Sequence, residues 1–217
     1  MGFPSKMLGK SEPVTQEASD ALVRALVDAV NENDTYVGGH SHRVAIYSGH
    51  VARLLGFAED DIDLVTKAAT VHDIGKIGIP EHVLMKPGKL SEEELHLVRL
   101  HPIFGASVLS RTSPLKRLIP IVLHHHERWD GDGYPSGLSG VDIPIEARII
   151  FVCDAFDAMT VGRPHGEVCS TEEAMVELRN GAGSQFDAQV VEAMHDAWRN
   201  GLLDSAPGNR NFVDLVN

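Results

Sequence analysis

The stretch His72-Asp73-Ile74-Gly75-Lys76 ends an apolar-periodic run, and the rest of the chain is read from it. Adjacent His and Asp offer two metal donors of different hardness. Lys76, one turn further on, is a phosphate partner or proton donor. A His-Asp pair alone is common, but this one is followed by His101 before Pro102, His125-His126 before Glu127, and Asp154. Imidazole and carboxylate together suit iron, manganese or zinc, and adjacent donors suit a site with more than one metal.

Working outward, Glu59 to Ile74 carries Ile62, Val65, Ala69 and His72 on adjacent helical faces, with Gly75 as the expected C-terminal residue. The preceding helix opens near Gly39-His40, carries Val44, Tyr47, Val51, Leu54 and Leu55, and stops at Gly56. Apolar residues also recur at helical spacing from Val14 to about Val30, where Asn31-Glu32-Asn33-Asp34 breaks the pattern. Residues 1–12 are a polar lead-in.

Downstream, Ile79-Pro80 to Lys89 reads as a connector turning at Pro87-Gly88. Ser91-Glu92-Glu93-Glu94 is a capping box. The helix it opens is expected to end close to His101, because a residue before proline avoids helical angles. Phe104 to Leu109 and Leu115 to His126 read as two more helices. Residues 127–144 are rich in Gly and Pro without periodicity, and a loop this long is usually functional or disordered. Ile145 to Thr160 puts Asp154 and Asp157 three apart on one face. Thr171 to Asn180 and Asp187 to Arg199 are amphipathic closing helices. No stretch alternates as a strand does. The expected fold is all-α, a single helical bundle of about eight helices with the Gly/Pro-rich loop near the metal site.

With 217 residues and 43% hydrophobic content, the chain is long enough for one large domain. No apolar run approaches the roughly 20 residues that span a bilayer, and the N-terminus has no apolar signal core. Two cysteines make no disulfide framework, so a reducing cytoplasm is expected, with Cys153 a small buried residue. A net charge of −12, from 31 acids against 19 bases, argues against a DNA-binding surface. An acidic protein acting on an anionic substrate needs local positive charge, which bound metals supply.

The ordered set of motifs resembles the HD-GYP family of phosphodiesterases, a branch of the HD metallohydrolase superfamily. The segments that carry the resemblance begin with His40-Ser41-His42-Arg43-Val44, His72-Asp73-Ile74-Gly75-Lys76-Ile77 and Lys86-Pro87-Gly88-Lys89-Leu90. His101-Pro102 follows, then the long string from His125-His126-Glu127 through Asp130-Gly131-Asp132-Gly133-Tyr134-Pro135. Asp154-Ala155-Phe156-Asp157, Arg163-Pro164 and Gln185-Phe186-Asp187 complete it. The match runs over roughly residues 30 to 195, and the His-His-Glu to Gly-Tyr-Pro string is its most specific part. It divides the chain into a lead-in with a helix (1–30), a catalytic domain (31–200) and a tail (201–217). Many members carry a sensory or receiver domain first; here the short N-terminal helix suggests a catalytic module or an excised fragment.

The resemblance implies an HD-domain-like bundle that hydrolyses cyclic di-GMP to the linear dinucleotide, or onward to GMP. Carried over residue by residue, the metal ligands are His72, Asp73, His101, His125, His126 and Asp154, with Asp73 bridging two ions. Adjacent helical residues point about 100° apart, so His125 and His126 are expected at different positions around the cluster. His40 matches a position that binds a third metal when one is present. Its helper carboxylate, one turn earlier, is replaced here by Tyr36, so two transition-metal ions, iron or manganese, are expected rather than three.

Asp73 and Lys76 are the candidate catalytic residues; Lys76, Tyr134, Asp157 and Arg163 are the candidate substrate residues. Asp157 is equally readable as a partner that orients a ligand histidine. His124 reads as packing behind the site, and His42, His50, His82, His96 and His195 as surface or core residues. The family usually follows Arg-Pro with Tyr and a basic residue that helps to hold phosphate. Here the run is Arg163-Pro164-His165-Gly166.

The mechanism implied is in-line attack on phosphorus by a hydroxide shared between two metals, with Lys76 protonating or stabilising the leaving 3′-oxygen. The alternative is a weakly active or inactive module, a nucleotide sensor or a docking domain for a GGDEF-type cyclase. A third reading, a nucleotidase or di-iron oxygenase, does not require the Gly-Tyr-Pro string. The oligomeric state is not readable from the sequence.

Overall fold

The computed structural model describes residues 39–111, 113–161 and 168–203, together with positions 21, 25 and 26. The described residues hold nine α-helices: α1 (His40–Leu54), α2 (Glu59–Val71), α3 (Glu81–Leu84), α4 (Glu92–Val98), α5 (His101–Ser110), α6 (Ile119–His124), α7 (Ile145–Val161), α8 (Thr171–Asn180) and α9 (Ala188–Arg199). Short 3-10 turns at Ile74–Gly78, Ser113–Leu118 and Gly140–Asp142 link them. There is no strand among the described residues, only one isolated bridge between Ala182 and Phe186. No described helix is long and apolar enough to cross a membrane. The helix expected over Val14–Val30 and the end of the tail lie almost wholly outside the described residues.

Helix α7 is the central element. Ile149, Ile150, Val152 and Cys153 are fully buried, and a helix apolar around its circumference belongs inside. Helices α1, α2, α8 and α9 pack around it, so that Val44, Val51, Val65, Ala69, Leu178, Val190 and Met194 share its core. Two helix starts carry the full reciprocal cap, Ser91 with Glu94 and Ser170 with Glu173. Asp187 caps α9 through Gln189 N–H at 2.9 Å and pairs with Arg148 at 2.5 Å, which ties α9 to α7.

The structure corrects the expected boundaries where the site is built. Helix α2 ends at Val71 rather than Ile74, and His72-Asp73 lead into a 3-10 turn closed by Lys76 N–H on the Asp73 carbonyl. Gly75 is therefore not a helix terminator. It lies inside that turn, where α5 runs so close that a Cβ would sit 1.9 Å from the His101 carbonyl oxygen. His101 begins α5 instead of ending α4, because Pro102 fits a first turn, whose N–H groups have no helical partner. The expected Leu115–His126 helix is divided into a 3-10 turn and α6, leaving His125 as the C-cap and His126 beyond the helix. The connector after Ile79 contains the one-turn helix α3.

Gly75→Ala is therefore expected to cost about 3 kcal/mol, as overpacking against unyielding backbone does. For a chain of this length that lowers the melting temperature by roughly 10 °C. A thermal melt that matches the parent would show that the 3-10 turn and α5 can separate without penalty.

Candidate metal centre

Three of the site histidines sit at helix ends and share one local geometry. The Nδ1 of His72 donates to Ala69 C=O at 2.7 Å, that of His101 to Val98 C=O at 2.8 Å, and that of His125 to Val122 C=O at 2.7 Å. The last carbonyls of a helix lack intrahelical N–H partners, so a ring N–H that turns back on them satisfies both groups. A carbonyl can only accept. Each ring must therefore carry its proton on Nδ1 and present a bare Nε2 lone pair to the interior. All three side chains are at most 2% exposed.

Asp73 lies among these lone pairs. Its Oδ1 is 3.3 Å from His101 Nε2; its Oδ2 is 3.5 Å from His72 Nε2, 3.8 Å from His40 Nε2 and 2.5 Å from Lys76 Nζ. Two donor sets result, Asp73-His101-His125-His126 and His40-His72-Asp73, each with its donor atoms within 4.8 Å of one another. Asp73 belongs to both, with one oxygen turned to each. His125 and His126, expected at different positions around the cluster, face the same set, with ring centroids 4.1 Å apart.

Without a cation this arrangement is unfavourable. The Nε2 atoms of His101 and His125 are 3.2 Å apart with no proton between them, and the buried Nε2 of His72 has no hydrogen-bond partner. Protonating the rings offers no escape. Burial, with the neighbouring histidines, holds His125 well below its usual value, and burial lowers His126 to about 3. Convergent imidazole nitrogens around a buried carboxylate fit a bound metal ion.

His40 and Asp154 complete the cluster, with His40 Nε2 3.3 Å from Asp154 Oδ1. Burial opposes a charge on His40, but Asp154 and Asp157 outweigh it and raise its pKa to about 10. Burial likewise opposes ionisation of Asp73, yet Lys76, His72, His101 and His40 hold it well below the usual carboxylate range. Asp154 is lowered in the same way by His40, His72 and His126 against its burial.

Asp157 is enclosed by its partners. It is 1% exposed, and its oxygens accept from His40 Nδ1 at 2.7 Å, Arg43 Nε at 2.6 Å and Arg43 Nη2 at 2.9 Å. These bonds fit the reading of Asp157 as a partner that orients the ring of His40, with Arg43 balancing the charge. Arg43 lies in a quoted motif but drew no role from the sequence, since nothing in the spacing pairs it with a residue 114 positions away.

The long loop is fastened to the same histidines. Glu127, 1% exposed, accepts from Ser136 N–H at 2.6 Å and Leu138 N–H at 3.1 Å, and Tyr134 N–H donates to the His126 carbonyl at 3.2 Å. Gly133 crosses so close that a Cβ would be 2.3 Å from Arg128 N. Tyr134 is thereby stacked on His126, ring centroids 4.9 Å apart at 28°, and its bond to Pro135 is cis. Trp129 and Asp130 N–H groups donate to the carbonyls of Gln185 and Ser184, which pins the outer part of the loop.

Arg99, Arg128, Asp132 and Phe151 join His126 and Tyr134 around a cleft of about 390 Å³. Arg128 and Asp132 fall within the quoted His-His-Glu to Gly-Tyr-Pro string but drew no role there, and Arg99 and Phe151 lie outside every quoted motif. Lys76 is 38% exposed at its side chain, at the outer edge of the cluster. His124 lies behind, its Nδ1 3.5 Å from Glu127 Oε1, and His195 donates from Nε2 to Met175 C=O at 3.1 Å within the core. Tyr36, Arg163, His165 and Gly166 lie outside the described residues.

Because one carboxylate serves both sets, Asp73→Ala is expected to lose both ions while the helical circular dichroism persists. Elemental analysis that found full occupancy in the variant would rule out a bridging role.

Residues 24–190 match the family described as HD domain. The chain is 44% identical over 156 residues to a cyclic di-GMP phosphodiesterase of Thermotoga maritima, covering 71% of this chain and 42% of that protein. It is 37% identical over 187 residues to the 3'3'-cGAMP-specific phosphodiesterase 2 of Vibrio cholerae, covering 84% of this chain and 35% of that one. The chain thus spans less than half the length of either relative. Bd1817, an HDG"Y"P protein of Bdellovibrio bacteriovorus, shares the fold with a TM-score of 0.64 at 23% identity, over 85% of this chain and 63% of that structure. The donor sets, the helical frame that carries them and the match over residues 24–190 assign the chain to the HD-domain family.

Proposed function

We propose that the chain is a metal-dependent phosphodiesterase that opens cyclic di-GMP to the linear dinucleotide. The observation that carries this is Asp73, whose two oxygens face two donor sets beside an open cleft. Metal ions held by these residues would supply a nucleophilic water at neutral pH and neutralise charge on the phosphoryl oxygens. The imidazole and carboxylate donors favour iron or manganese over magnesium. A third ion is not expected, since Tyr36 offers no carboxylate one turn before His40.

The remaining roles belong to the chain's own side chains. Lys76 Nζ lies 2.5 Å from Asp73 Oδ2 at the cluster's exposed edge, where it would offer a leaving 3′-oxygen a proton or a countercharge. Asp157 and Arg43 hold His40 in one orientation, and Glu127 holds the loop that sets Tyr134 against His126. Arg163 is retained as a phosphate cation from the motif match. Both relatives described above are named for cyclic dinucleotides, which supports that substrate class.

A second reading rests on Gly166, which stands where the family usually has a basic residue. It makes the chain a sensor or a docking module for a GGDEF-type partner, with metals retained and turnover weak.

The test is anaerobically purified protein, loaded with iron or manganese and incubated with cyclic di-GMP, with products resolved by chromatography. The linear dinucleotide should accumulate, with little onward conversion to GMP, and Lys76→Ala should lower kcat about a hundredfold, within the usual range for one proton-transfer group. Binding of cyclic di-GMP without cleavage would favour the sensor module instead.

A further inference from the structure

Binding of a cyclic dinucleotide poses a charge problem that the metal centre does not solve alone. The ring holds two phosphodiesters, and when one lies at the metals the other is carried in beside it. The chain has a net charge of −12, and the carboxylates of Asp130 and Asp132 stand at or next to the cleft. A second phosphate entering there without a countercharge would be repelled.

The cleft has two guanidinium groups, and they differ. Arg128 is committed to Asp130 through two hydrogen bonds, Nε to Oδ1 at 3.0 Å and Nη2 to Oδ2 at 2.6 Å. Arg99 has no carboxylate partner among the described residues; its guanidinium lies over the Tyr134 ring, 5.5 Å from the centroid. Tyr134 in turn stacks on the metal donor His126. A guanidinium resting on an aromatic face keeps its planar fork of donors for an anion, with less rotamer freedom to lose on binding. Arg99 also belongs to the short link between α4 and α5, two residues before the donor His101. Its place is thus fixed relative to the metals by the same backbone that positions a ligand.

We infer that Arg99 binds the phosphate of the cyclic dinucleotide that is not being cleaved, with Tyr134 as the platform that holds its guanidinium. This rests on the phosphodiesterase reading above. It also supplies, from a different segment, a cation of the kind that the sequence lacks at Gly166.

The experiment compares Arg99→Ala, Arg99→Lys and Arg99→Gln with the parent, at matched metal content, on two substrates. Cyclic di-GMP has a second phosphate; bis(p-nitrophenyl) phosphate has a single phosphodiester and nothing for Arg99 to hold. Equilibrium binding of cyclic di-GMP is measured in parallel. Arg99→Ala should raise KM and weaken binding for cyclic di-GMP about tenfold, as loss of a charge-assisted contact does. Its effect should be several-fold smaller on the single phosphodiester, with kcat changed less than KM on cyclic di-GMP. Lys should retain more affinity than Gln, because charge is what the phosphate requires. Equal losses on both substrates, or none, would overturn the inference, and so would Gln outperforming Lys, which would assign Arg99 to a base edge. A parent protein that cleaves the single phosphodiester but neither binds nor cleaves cyclic di-GMP would refute the phosphodiesterase reading itself and this inference with it. Parent turnover of cyclic di-GMP that is unaffected by Arg99 would refute the inference alone.

Discussion

The centre depends on three backbone carbonyls. Ala69, Val98 and Val122 each take the Nδ1 proton of the histidine three residues on. That choice leaves Nε2 of His72, His101 and His125 unprotonated and aimed at Asp73 or at one another. Such a set of buried lone pairs is costly in an apolar frame and becomes favourable only around a cation. The helix ends supply these carbonyls because their hydrogen bonds would otherwise be unmet. One local rule, applied at three places, therefore fixes tautomer, ring direction and metal affinity together.

The fold can be understood as the means of bringing those helix ends to one point. Helix α5 must approach the 3-10 turn after Asp73 closely enough to set His101 beside it, and Gly75 and Gly105 make that approach possible; a Cβ on Gly105 would meet Val122 and Ile74 at 3.1 and 3.3 Å. Helix α7 brings Asp154 and Asp157 from the opposite side, and α1 brings His40 with Arg43. The last two side chains show how charge is managed in the interior. Asp157, 1% exposed, accepts hydrogen bonds from Arg43 and His40, and the three form one connected support behind the donors. The Gly-Tyr-Pro loop is held by a buried carboxylate in the same way, since Glu127 accepts two backbone N–H groups of a segment with no regular structure.

Much of this was legible in the sequence. Helical spacing found α1, α7, α8 and α9 nearly to the residue, because long amphipathic or fully apolar segments carry a periodic signal. It failed at the short elements. A helix before His101 and another after it look alike in composition, and Pro102 reads as a stop although it also suits a first turn. The HD pair was read as the end of a helix because Gly75 resembles a C-terminal glycine, while its actual constraint is contact with a segment 26 positions further on. The fold brings most of the candidate donors into two sets, and their division around Asp73 depends on ring orientation, which spacing does not encode. Arg43 and Glu127 lie in quoted motifs but drew no role there, and Arg99 lies outside them, since each acts through a partner that only the fold brings near.

The central claim is the protonation pattern, and nitrogen spectroscopy reads it directly. Long-range nitrogen–proton correlation spectra of the histidine rings, recorded on the diamagnetic zinc-substituted protein, separate a protonated Nδ1 from a protonated Nε2. The account predicts Nδ1–H with an unprotonated, metal-bound Nε2 at His72, His101 and His125. Rings carrying their proton on Nε2, or bound to metal through Nδ1, would contradict it.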